Sequence, residues 1–136
     1  MSRASILSRP SPRSSRGRKP LEKDVLRACL DLLRAKKIWC ERRNSGVMES
    51  ATGKGRWVKF GEKGMADIFA LPKAHENVVD ATLCAFPTWI ECKRPGGGKQ
   101  SYEQKLFQHI VEAEGHAYLL VDDVQQLADW LSERGL

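Results

Sequence analysis

The sequence predicts an α/β domain: a mixed sheet with helices on its faces. Three observations carry that prediction. Short apolar runs such as IFAL (68–71) and AYLLV (117–121) are strand-length and bounded by polar or glycine-containing segments. Three other segments repeat their apolar residues at helical spacing. The two kinds alternate in the order α, β, (β), β, β, α, β, α, the pattern of a sheet covered by helices. At 136 residues and 41% apolar content the chain suits one domain with a real core, assigned to residues 21–136.

Residues 1–20 stand apart. They hold six basic residues and no acidic ones, and Pro10, Pro12, Gly17 and Pro20 forbid a continuous helix, so a disordered arm is expected. Its functional reading is a phosphate-neutralising arm, since each Lys or Arg near a polyanion releases counterions without sequence preference. An inert solubilising tail and a cleavable targeting peptide share the composition. Residues 21–75 hold 12 basic and 7 acidic residues and residues 76–136 hold 5 and 10, so the folded part is expected to be electrically lopsided.

From Pro20 to Lys37 the apolar residues Val25, Leu26, Cys29, Leu30, Leu32 and Leu33 predict an amphipathic helix, with Pro20 suited to its first turn. At about 100° per residue Glu22 falls on the same side as Leu26, Cys29 and Leu33, facing the core at the helix start. Two readings follow: the acid complements the helix dipole, or it faces an active centre at the rim of the core. Ile38 to Arg43 reads as a strand. Residues 44–64, with five glycines among basic residues, read as an electropositive loop or hairpin. There Lys54, Arg56, Lys59 and Lys63 interleave with Trp57 and Phe60, either as phosphate contacts and stacking platforms or as ordinary solvated side chains.

The run GMADIFALP (64–72) marks a buried central strand that Asp67 opens. A carboxylate beside a core strand must be paired, capped or bound to a cation, because leaving it desolvated and alone costs several kcal/mol. A turn-forming Asp is one answer; a second acid on an adjacent strand makes a metal site. Residues 73–87 stay open, with strand pieces at 78–79 and 82–86. The next strand, starting near Thr88, ends in Glu91, Cys92 and Lys93, so that Glu91 and Lys93 project from one face about 7 Å apart. Residues 101–115 form a second helix, in which Ser101 and Gln104 have capping-box spacing and Gly115 supplies the stop. AYLLV is expected as another buried strand, and a last helix runs from Asp122 or Asp123 to Arg134.

Some classes are excluded. The longest apolar run is five residues, against the ~20 a membrane span needs. Cys29, Cys40, Cys84 and Cys92 contain no CxxC pair and His75, His109 and His116 no ligand spacing, so free thiols in a reducing compartment are expected and zinc is not. If the strands of Asp67 and Glu91 are neighbours, their carboxylates converge with Lys93 beside them. Carboxylate, carbonyl and water oxygens suit Mg²⁺ or Mn²⁺, which activate water and polarise a phosphodiester, while Lys93 steadies the developing charge.

Glu22 in the first helix, the run Gly64-Met65-Ala66-Asp67, the Glu91-Cys92-Lys93 triplet followed by RPGGGK, and Gln104 after Ser101 together resemble the PD-(D/E)XK nuclease superfamily, in particular its virus-type replication-repair nuclease (VRR-NUC) family. The likeness covers residues 21 to about 121. Ala66 stands where the superfamily name has Pro; the preceding glycine can supply the turn. The resemblance implies a restriction-endonuclease-like αβββαβ core and a divalent-metal-dependent DNA endonuclease. Asp67, Glu91 and the Cys92 backbone carbonyl would bind Mg²⁺ or Mn²⁺, Glu22 would assist through the metal or its waters, Lys93 would serve hydrolysis, and Gln104 would sit beside the site. Asn44 and Lys99 occupy places where relatives carry similar residues; Lys99 joins Lys54, Arg56, Lys59 and Lys63 as expected DNA contacts. Small stand-alone members resemble Holliday-junction resolvases and pair as homodimers, so branched or duplex DNA and a second copy are the expected partners. The expected setting is DNA replication, recombination or repair in the cytoplasm of a bacterium or phage-infected cell. The competing functions are a non-catalytic DNA-binding accessory protein and a sequence-specific restriction-type endonuclease.

Overall fold

The computed structural model describes residues 17–44, 46–73 and 86–136. The expectations for residues 1–16, and the strand pieces expected between 74 and 85, lie outside them. The elements run α1 (Glu22–Ala35), β1 (Trp39–Arg42), β2 (Gly46–Glu49), β3 (Trp57–Phe60), β4 (Ile68–Leu71), β5 (Thr88–Cys92), α2 (Tyr102–Ala113), β6 (Ala117–Val121) and α3 (Val124–Glu133). β1, β4, β5 and β6 form one sheet in that order, antiparallel except for the parallel β5–β6 pair; β2 and β3 form a separate antiparallel hairpin. The fold is mixed α/β, and its main-sheet elements with α1 and α2 follow the order αβββαβ.

Strand alternation divides the core into two layers. Ile90 and Cys92 of β5, with Ile68, Ala70 and Val121, face α1 and α3 and pack against Cys29, Leu30, Leu33, Leu127 and Leu131. Each fully buried Leu or Ile contributes about 1.5–3 kcal/mol. The odd-numbered residues of β5 face α2, where Trp89 packs with Phe107, Val111, Ala66 and Tyr118. The ring of Trp89 meets Phe107 edge-on with centroids 5.0 Å apart, and its indole N–H donates to His116 Nδ1 at 3.0 Å. Glu91 and Lys93 lie on this second face as well.

Helix ends explain where elements start and stop. Asp24 accepts the Leu21 N–H at 2.8 Å, so α1 begins at Glu22 and Pro20 lies just outside its first turn. The helix ends at Ala35, two residues short of the sequence expectation, because Lys37 adopts φ 56° and the Ile38 N–H bonds back to the Leu33 carbonyl at 2.9 Å. That is the left-handed termination usually made by glycine. α2 ends the same way through Gly115, with the His116 N–H donating to the Val111 carbonyl. At its start the Ser101 side chain accepts the Gln104 N–H and Gln104 accepts the Ser101 N–H, as the capping-box spacing predicts. Asp123 caps α3.

Two expectations change. AYLLV does form β6, but as an edge strand in which only Val121 is buried and Leu120 is exposed; an apolar run does not reveal whether a further strand will cover it. Glu22, the first residue of α1, is exposed, whereas Leu26 and Cys29 on the same side of the helix are buried.

Candidate active site

The site forms where β4 begins and β5 ends. Ile68 pairs with Ile90 in the β4–β5 ladder, and continuing that register by one residue sets Asp67 beside Glu91. Residues opposed across an antiparallel pair share a face. The main chain fixes Asp67 from both sides. Its carbonyl accepts the Arg43 N–H at 2.6 Å, and its Oδ2 accepts the Cys92 N–H at 2.8 Å. An extended residue turns its N–H and C=O to the same neighbour, so the Cys92 carbonyl also faces the Asp67 edge. Gly64, at φ +83°, makes the approach to Asp67, and a Cβ there would lie 2.4 Å from the Glu103 backbone.

Glu91 is 2% exposed and Lys93 8%. Lys93 Nζ lies 2.7 Å from Glu91 Oε1 and donates to Gln104 Oε1 at 2.9 Å, while Gln104 Nε2 donates to the same Glu91 oxygen at 2.6 Å. The side chains of Glu91, Lys93 and Gln104 thus close a triangle. Gln104 belongs to two structures at once: it completes the α2 cap and fixes the Glu91–Lys93 pair. Gly98 admits the lysine, since a Cβ there would fall 2.3 Å from Lys93 Cβ. The opposite oxygen of Glu91, Oε2, is buried without any hydrogen-bond partner, alone in this among the described residues.

The electrostatics are those of acids held away from water. Burial pushes the Glu91 carboxyl up to about 7; the Lys93 hydrogen bond opposes the rise, and the charges of Asp67 and Glu22 add to it. Asp67 is also raised, by burial first, against the Cys92 N–H and with a contribution from Glu22. The Glu22 charge thus raises both carboxyls, the Asp67 charge raises Glu91, and the Lys93 ammonium opposes both rises.

Of the residues expected at the site, Asp67, Glu91, Lys93 and Gln104 come together. Glu22 lies near enough for its charge to bear on both acids, yet among the described residues no three His, Cys, Asp or Glu side chains group as a ready ligand set. A cation would therefore take two carboxylates, with the remaining positions left to backbone carbonyl and water, a distribution suited to Mg²⁺, which keeps several waters. The partnerless Glu91 Oε2 and the all-oxygen donors fit such an ion. Lys54, Arg56 and Lys59 are exposed on the β2–β3 hairpin beside Trp57, which is 67% exposed, and Lys99 is exposed after β5. Lys63 instead meets Glu103 Oε1 at 2.6 Å, tying the segment before β4 to the start of α2. Sequence reasoning missed the Cys92 N–H clamp and the roles of Gly64 and Gly98 against α2 and Lys93. The RPGGGK run flagged the second glycine site without showing its use.

No family model matches the chain, and no curated protein matches it either.

Proposed function

We propose that the chain is a divalent-metal-dependent DNA endonuclease with a PD-(D/E)XK core of the VRR-NUC kind. The observation that carries the reading is the partnerless buried oxygen of Glu91, on a carboxylate that faces Asp67 and is held by Lys93 and Gln104 through its other oxygen. Burial of an unpaired acid oxygen costs free energy, and a hard cation offsets that cost. The αβββαβ order of elements supports the same reading.

In the proposed reaction Asp67, Glu91 and the Cys92 carbonyl would hold Mg²⁺ or Mn²⁺, with Glu22 acting through water; the ion would supply polarisation of the phosphodiester and a water ionised near neutral pH. The Cys92 N–H fixes which Asp67 oxygen stays available. Gln104 holds Glu91 in one rotamer. Lys93, buried and already a hydrogen-bond donor, orients the attacking water or neutralises charge that develops on the phosphate. The proposed substrate is branched DNA, cut in the manner of a Holliday-junction resolvase by two copies related by a two-fold axis. The row Tyr102, Leu106 and Ile110, exposed at four-residue spacing on α2, is the face a second copy would cover, and sedimentation equilibrium reads that state directly.

The test is cleavage of four-way junction, flap, nicked and plain duplex DNA with Mg²⁺ or Mn²⁺. The expected result is cleavage that EDTA stops and that Lys93→Ala lowers at least about 100-fold while DNA binding survives. Undiminished cleavage by the Lys93→Ala protein contradicts the mechanism. Discrete fragments from linear genomic DNA point to a sequence-specific enzyme instead.

A further inference from the structure

Four cations that the sequence scatters over two elements line one concave surface. Lys23, Arg27 and Arg34 of α1 and Arg42 of β1 surround a cleft of about 350 Å³ that also includes Leu26 and Leu30. The three helical cations lie within about 40° of one another around the axis. All four are exposed. Among the described residues no carboxylate pairs with Lys23, Arg27 or Arg42, and Arg34 has only the distant, solvated Asp31 at 3.9 Å. Like charges gathered in a concavity repel one another, and a polyanion relieves that repulsion.

The cleft lies on the α1 side of the sheet, at the end where the candidate active site forms. Arg42 pairs across the sheet with Ile68, the residue after Asp67, and its charge acts on the Asp67 carboxyl. Lys23 follows Glu22 at the start of α1. From Lys23 to Arg34 the helix rises about 16 Å, the axial length of about five nucleotides of one strand.

We infer that this cleft holds the phosphate backbone of one DNA strand and leads it to Asp67 and Glu91. The inference rests on the proposed function for its choice of polyanion, and it assigns the strand path to α1 and β1 in addition to the β2–β3 hairpin. Apolar Leu26 and Leu30 between the cations give a surface on which ammonium and guanidinium groups are less hydrated and pair more strongly with phosphate. Contacts to phosphate carry no sequence information directly, so backbone binding in the cleft is insensitive to sequence.

The experiment is anisotropy titration of a fluorescent duplex with the full chain in EDTA, from about 50 to 200 mM salt. Wild type is compared with Arg27→Ala, Arg42→Ala and the double variant. Each substitution is expected to lower the slope of log K against log salt by about 0.9, so that wild type loses roughly ten times more affinity across the range than the double variant does. Arg27→Lys keeps the wild-type slope. A double variant with unchanged slope and affinity overturns the inference. Cleavage by wild type in Mg²⁺ is scored in parallel: a changed slope without cleavage keeps the cleft and counts against the nuclease, whereas cleavage with an unchanged slope counts against the cleft alone.

Discussion

Glu91 is the most deeply buried acid of the candidate site. Its carboxyl, raised to about 7 chiefly by burial, binds a proton more tightly in the folded chain than the ordinary value of 4.5 would allow. Its contribution to stability is therefore full below about pH 4.5 and is lost as pH climbs through about 7, where the buried group must ionise. A divalent ion competes with that proton. The concentration of Mg²⁺ giving half-maximal cleavage should accordingly rise about tenfold per pH unit as pH falls below 7, and level off above it. A requirement for Mg²⁺ that does not change between pH 6 and pH 8 would show that Glu91 is not a ligand. Lys93 was legible in the sequence as the neighbour of Glu91 on one strand face. Its partnership with Gln104 was not, because that depends on how α2 crosses the sheet.

At the scale of elements, the signals that succeeded were local ones. Ser101 and Gln104 announced the start of α2, Gly115 its end, and apolar periodicity gave all three helices. The end of α1 was hidden because Lys37 takes the left-handed conformation that glycine ordinarily marks. β6 looked like a buried strand because its apolar run does not encode its place at the sheet edge. Gly64 illustrates a constraint that only packing reveals: it combines φ +83° with a backbone contact to Glu103 that leaves no room for a Cβ. Gly64→Ala should lower folding stability by at least about 1 kcal/mol, read as a shift in the urea midpoint. An unchanged midpoint would mean that α2 and the approach to Asp67 do not depend on each other.

Across the described residues, charge is divided between two neighbouring regions. Acids gather at the meeting of β4 and β5, and exposed cations line the α1–β1 cleft near it. The excess of basic residues before residue 76 announced an uneven distribution, but the cleft joins Lys23, Arg27, Arg34 and Arg42 across a turn and so had no linear signature. The neighbourhood of Asp67 and Glu91 was inferable from two consecutive buried strands. The Cys92 N–H that anchors Asp67 required the register. The central claim is that these two carboxylates form a divalent-metal site, and calorimetric titration of Mn²⁺ into the full-length protein tests it most directly. Wild type should bind the ion at neutral pH, while Asp67→Asn and Glu91→Gln proteins of unchanged helical content should lose that binding; equal binding by all three proteins, or none by wild type, would contradict the account.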